Sequence, residues 1–195
     1  MTHPALLSAL AACIALAPAA QAQVTLAPDG PALRPLPQLP LKGGYYADER
    51  KPLPPEVQET LRQINAYRAA GATCGSQRFE PAAPLAWNEL LQTAATRHAE
   101  DMAQRGSMSH TGADGSDVGS RVNRVGYDWW GVSENVSAGY RSGPDALLGW
   151  MKSPGHCANL MTPDYTEVGV GAAFAKGDRF GWYRAMVLAK GRNRP

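Results

Sequence analysis

Three residues in the second half of the chain are of types that do chemistry: His110, Glu134 and His156. His110 follows Met108-Ser109 and opens a glycine-rich stretch. Glu134 lies in Ser133-Glu134-Asn135-Val136-Ser137-Ala138-Gly139, and His156 in Ser153-Pro154-Gly155-His156-Cys157. Turn-forming neighbours let such side chains face a cleft, because loops on a rigid scaffold are where function concentrates. Two neutral imidazoles can hold zinc, with a carboxylate orienting one of them. Alternatively, a His–Glu pair works as a general base, the carboxylate holding the ring and stabilising its charged form. His110, Glu134 and His156 are therefore the candidate catalytic residues, and His110 and His156 the candidate ligands for zinc. A third reading is a hydrogen-bonded cluster that braces loops over a cavity. No His-Glu-x-x-His helix and no Gly-x-Ser-x-Gly elbow is present.

Other residues have plainer readings. His98 falls in an apolar helical stripe and reads as a core or boundary histidine bonded to backbone. Trp129-Trp130 reads as an aromatic lid packing on the core, with a ligand platform as the rival. Glu167 precedes a strand and could reach the cleft or make a strand-edge salt bridge. Trp129, Trp130 and Glu167 are thus the weaker candidates for ligand contact. Asp114 and Asp117 lack the distal glutamate of an EF-hand and read as a solvated turn.

The elements that must position these residues follow from hydrophobic period. Val57, Leu61, Ile64 and Tyr67/Arg68 predict a helix stopping at Gly71. Leu90, Leu91, Ala94, Ala95, His98, Ala99 and Met102 predict a long helix ending near Arg105-Gly106. A short helix is expected around Val118 to Val125 and another from Gly143 to Met151, with His156 in a turn just past it. Glu134 falls on a middle strand. Glu167 to Ala175 and Phe180 to Ala189 read as a hairpin around Lys176-Gly177-Asp178-Arg179. Helices first and a hairpin last give an α+β class with an antiparallel sheet between helices.

The whole chain sets the context. It has 195 residues and a formal net charge of +2, with no basic run, which argues against nucleic acid as a partner. Met1 to Ala22 carries no charge, and Ala20-Gln21-Ala22 fits a small-x-small cleavage site, so residues 1–22 read as a signal peptide. Leu10-Ala11-Ala12-Cys13 is the lipoprotein alternative. Residues 23–55, with Pro28, Pro31, Pro35, Pro37 and Pro40, read as an extended, disordered leader. No transmembrane segment is expected in the mature chain, which reads as a secreted or periplasmic monomer. Cys74 and Cys157 remain after export. An oxidising compartment favours their pairing, and a metal role for Cys157 beside His156 is the alternative.

Several words, in order, resemble the CAP superfamily: cysteine-rich secretory proteins, antigen 5 and pathogenesis-related 1 proteins. They are Ile64-Asn65-Ala66-Tyr67-Arg68, Leu85-Ala86-Trp87-Asn88, His98-Ala99-Glu100-Asp101-Met102 with Met108-Ser109-His110, Gly126-Tyr127, and Ser133-Glu134-Asn135-Val136. Trp150-Met151-Lys152-Ser153-Pro154-Gly155-His156 and Tyr165-Thr166-Glu167-Val168-Gly169-Val170-Gly171 complete the set and resemble its bacterial branch. The resemblance implies an α-β-α sandwich over residues 56–195, and His110 and Glu134 as site residues. Ser133 stands where the family usually has glycine. Ser153 and Asp164 stand where eukaryotic members carry a second glutamate and a second histidine, so their tetrad is incomplete here. The resemblance implies binding of a lipid, sterol-like or envelope ligand. The rivals are a hydrolase, zinc-assisted or not, using His110, Glu134 and His156, and a structural extracellular domain without catalysis.

Overall fold

A computed structural model describes residues 53–192. The expected signal peptide, the lipoprotein alternative at Cys13 and the proline-rich leader up to residue 52 lie outside the described residues. The elements are α1 (Pro55–Ala70), β1 (Ala72–Cys74), β2 (Gln77–Phe79), β3 (Ala86–Trp87), α2 (Glu89–Arg105), α3 (Val118–Arg124), β4 (Trp129–Ala138), α4 (Gly143–Lys152), α5 (Pro154–Met161), β5 (Glu167–Phe174) and β6 (Trp182–Gly191).

The main sheet has the order β3-β5-β6-β4. β6 pairs antiparallel with both β5 and β4, while the two-residue β3 adds in parallel to β5. Both faces of β6 are buried, and its side chains divide by the period of two. Tyr183, Ala185, Val187 and Ala189 pack with Leu91, Ala94, Ala95 and Met102 of α2. Met186 and Leu188 pack on the other face with Leu61 and Ile64 of α1, Leu147 and Trp150 of α4 and Leu160 of α5. Three layers result, an α-β-α sandwich as the pattern of words implied.

Two glycines set how closely α2 lies on the sheet. A Cβ at Gly169 would sit 2.0 Å from Gln92 N, and one at Gly171 2.2 Å from Thr96 N. The helix backbone therefore rests directly on β5 without side chains between. α2 starts where Asn88 Oδ1 accepts from Leu90 N and Leu91 N, a cap worth about 1 kcal/mol.

Two polar residues of the first helix work as struts. Asn65 bonds the backbone of Leu85 in both directions, Nδ2 donating to its carbonyl at 3.0 Å and Oδ1 accepting from its N–H at 2.8 Å. Arg68 is fully buried and donates to the carbonyls of Ala83, Leu160, Thr162 and Tyr165. Burial holds its pKa down, at about 10. Its charge is met by carbonyl dipoles, two of them at the C-terminal end of α5, where the helix dipole is negative.

One local reading needs correction. Ser153-Pro154-Gly155-His156 is not a turn past a helix: Pro154 opens α5, and His156 lies in its first turn. Proline at the first helical position leaves no N–H unsatisfied, so the sequence that stops α4 also starts α5. Cys74 and Cys157 form a disulfide with Cα atoms 5.4 Å apart, which ties α5 to β1.

Candidate functional site

The site forms at β4, one of the two edge strands of the main sheet. Glu134 is contributed by β4, His98 by α2, Arg121 by α3 and His156 by α5, while His110 comes from the loop after α2. Alternation along β4 gives successive residues different duties. Glu134 turns toward His98, His110 and Arg121. Asn135 turns toward α5, donating from Nδ2 to the His156 carbonyl at 3.0 Å and accepting from Asn159 Nδ2 at 2.9 Å. Trp150 Nε1 then donates to the Val136 carbonyl at 3.0 Å. Ser133, in place of the family's glycine, sits within β4.

Glu134 is the hub. Its side chain is 2% exposed; Oε1 lies 2.9 Å from His110 Nδ1, and Oε2 accepts from Arg121 at 2.7 Å. A carboxylate can only accept, so His110 carries its proton on Nδ1. Its Nε2 is left as an acceptor on a side chain that is 60% exposed. Arg121 is itself fixed by the carbonyls of Ser116 and His110. The buried negative charge is thus paired and hydrogen-bonded, which is the condition for keeping it inside a protein.

His98 belongs to this group as well as to the core. It is buried, its Nε2 lies 2.8 Å from the Ser109 carbonyl and 3.7 Å from Glu134 Oε1. Burial pushes its pKa down; the Glu134 charge opposes that shift and the Arg121 charge adds to it. The expectation of a histidine bonded to backbone holds, and that bond also fixes the residue before His110. His156 comes from α5 in the other helix layer, its ring centroid 6.4 Å from that of His110. Burial lowers its pKa, and the charge on His110 lowers it further.

The donor set does not suit zinc. Two imidazoles sharing a tetrahedral zinc would bring their centroids to about 5 Å, given Zn–N bonds of about 2 Å. Among the described residues no group of three or more His, Cys, Asp or Glu gathers around such a point. The carboxylate in reach, Glu134, already spends both oxygens on His110 and Arg121. Cys157 is closed in the disulfide and offers neither a metal ligand nor a nucleophile.

The weaker candidates lie elsewhere. Glu167 is buried, accepting from Asn88 Nδ2 at 2.9 Å and from the Tyr127 hydroxyl. It links the α2 cap to the sheet at the start of β5. Trp129 packs on the α2 side of the core and donates to Asn123 Oδ1, whereas Trp130 is 64% exposed beneath the Arg192 guanidinium. Asp114 pairs with Arg124, and Asp117 caps α3 through Ser120 N, so that loop is a turn as expected. Sequence reasoning missed Arg121. Its only signal was an arginine on a short helix, whose burial no local pattern foretells.

A three-layer sandwich carrying a His–Glu cluster at one edge of its sheet is the frame on which the comparisons bear. Residues 61–188 match the cysteine-rich secretory protein family, CAP, and the chain belongs to that family. It is 34% identical over 89 residues to the "uncharacterized membrane protein YlbC" of Bacillus subtilis, covering 46% of this chain and 26% of that one. It is 26% identical over 110 residues to YkwD of the same organism, covering 55% and 43% respectively. The chain therefore spans less than half the length of these curated relatives. Among solved structures, an extracellular protein containing an SCP domain from Bacillus anthracis superposes with a TM-score of 0.54 at 26% identity. That match covers 72% of this chain and 45% of the other. An outer surface protein of Borrelia burgdorferi gives 0.55 at 15% identity, covering 70% and 96%, a likeness of fold alone. The chain is thus a CAP-domain protein with bacterial relatives in that family. Among the described residues no helix is long and apolar enough to cross a membrane.

Proposed function

We propose that this protein is exported and binds an amphiphilic envelope ligand, of lipid or sterol-like character, through the His110–Glu134–His156 cleft. The observation that carries this reading is the orientation of His110. Buried Glu134, itself gripped by Arg121, holds the ring so that Nε2 faces solvent as a fixed acceptor. A ligand hydroxyl can donate there without the cost of ordering the ring, which is how preorganisation raises affinity. Met108, two residues upstream, is an exposed apolar side chain on the same segment as His110. Export is supported by the disulfide and by the extracellular relative from Bacillus anthracis.

The test is titration of the chain with a fluorescent sterol and with diacylglycerol in detergent. Saturable binding weakened about 10-fold in His110→Ala, the worth of one hydrogen bond, supports the reading. Absence of saturable binding to both, or affinity indifferent to His110→Ala, overturns it.

A hydrolase is the second reading, favoured by the same orientation: His110 Nε2 is basic and open, and Glu134 would stabilise the imidazolium formed when a water is deprotonated. It requires turnover of ester, amide or glycan substrates that rises with pH through the imidazole range and disappears in both His110→Ala and His156→Ala. Turnover surviving both substitutions ends it.

A further inference from the structure

A concavity of about 280 Å³ is lined by Arg97, His98, Asp101, Asp114, Arg121 and Arg124, with neither His110, Glu134 nor His156 among its walls. Its charges are almost all matched within the fold. Arg121 is held by Glu134, Arg124 by Asp114, and Asp101 by Arg105 at 2.6 Å. Arg97, on the exposed side of α2, has no hydrogen bond or ion pair among the described residues. One positive charge is left over at the mouth.

The floor carries an unmet polar atom. His98 Nδ1 is buried and has no hydrogen-bond partner among the described residues. The bond from Nε2 to the Ser109 carbonyl puts the proton on Nε2, so Nδ1 is a lone-pair acceptor. Asp101 Oδ2, 3.9 Å from Nδ1, is a second acceptor. Asp101 Oδ2 already accepts from Arg105 and Ala113 N, so Nδ1 is the acceptor that calls for a donor, since an unsatisfied buried group costs about 1–3 kcal/mol.

We propose that this concavity is a binding site for a small carboxylate that carries a hydrogen-bond donor beside it, as hydroxy acids and amino acids do. The carboxylate pairs with Arg97, and the hydroxyl or ammonium group donates to His98 Nδ1 and Asp101. The volume lies just below the usual range of about 300–1,000 Å³ for ligand pockets, which fits a molecule of few heavy atoms. The site stands apart from the reading of the His110 cleft and does not depend on it.

The experiment is an NMR titration of the full chain with lactate, alanine, propionate and isopropanol. These four share a three-carbon skeleton and differ in whether they carry the charge, the donor or both. Saturable shifts of the 112–116 amides and of His98 are expected with lactate or alanine. Propionate and isopropanol should bind at least about 10-fold more weakly, and Arg97→Ala should lose the same factor. The tighter of lactate and alanine identifies the donor as hydroxyl or ammonium. Arg97 is exposed, so its substitution leaves the fold intact, and Arg97→Glu should abolish the response. In His110→Ala the response should persist, which separates this site from the envelope-ligand cleft. No saturable shift with lactate or alanine, equal binding of propionate, indifference to Arg97→Ala, or loss in His110→Ala would each overturn the proposal.

Discussion

The guanidinium of Arg121 donates to Glu134 Oε2 at 2.7 Å, with the two side chains 9% and 2% exposed. The orientation of His110 depends on that pair, because the same carboxylate receives its Nδ1 proton. Replacing Arg121 with alanine leaves a buried carboxylate uncompensated. Urea unfolding of Arg121→Ala should show a loss of about 3–5 kcal/mol. Arg121→Lys should rescue only part, since a point charge cannot reach Glu134 and two carbonyls at once. A loss below about 1 kcal/mol would show that solvent reaches Glu134 readily.

Gly169 and Gly171 let the backbone of α2 lie on β5. Gly169→Ala and Gly171→Ala each force a Cβ into helix backbone rather than into a flexible side chain. A cost of about 3 kcal/mol, or failure to fold, is expected in thermal or urea melts. The same substitutions should displace His98, which follows both contacts on α2, and so shift its ring resonances. Stable alanine variants with unchanged melts would show that the helix can ride up without penalty.

The Cys74–Cys157 bridge closes a separation of 83 residues. Chain-entropy arguments give it about 4 kcal/mol, and Cys74→Ser/Cys157→Ser should lower the urea midpoint accordingly. The cross-link lies at α5, so His156 should become more mobile than His110. NMR relaxation of the two rings checks that ordering.

Acid should weaken the fold through its histidines. Burial holds His98 below its ordinary value of 6.5, and His156 is shifted in the same direction. Below that value the unfolded chain takes up protons that the folded chain refuses, so stability is present above it and falls as pH drops. The urea midpoint should fall between about pH 7 and about pH 5. His98→Gln should flatten the dependence even though it costs stability overall. A wild-type midpoint that does not move over that interval contradicts the neutral, buried assignment of His98.

Much of the frame was legible because it rests on period and punctuation. The apolar stripe from Leu90 to Met102 could only be a helix with one buried face. The two β-rich runs at the end could only be strands, with Lys176 to Arg179 between them. His110, Glu134 and His156 stood out in the sequence by residue type; the fold sets His110 against Glu134 and leaves the His156 ring 6.4 Å from that of His110. What misled was Pro154. A proline breaks a helix it sits within but begins one it opens, and the local sequence does not say which.

The sequence by itself thus determined α1, α2, α4, β5 and β6, favoured the pairing of Cys74 with Cys157, and supplied the types of group at the candidate site. Only the tertiary structure decided which charges meet. Arg121 joins Glu134, Arg68 finds four carbonyls from distant segments, and Glu167 turns inward to Asn88 and Tyr127. The reason is physical. Helix and strand patterns are set by neighbours a few residues apart, whereas the partner of a buried charge is set by whichever layer packs over it. The short-range code records burial but not the identity of what lies across the interface.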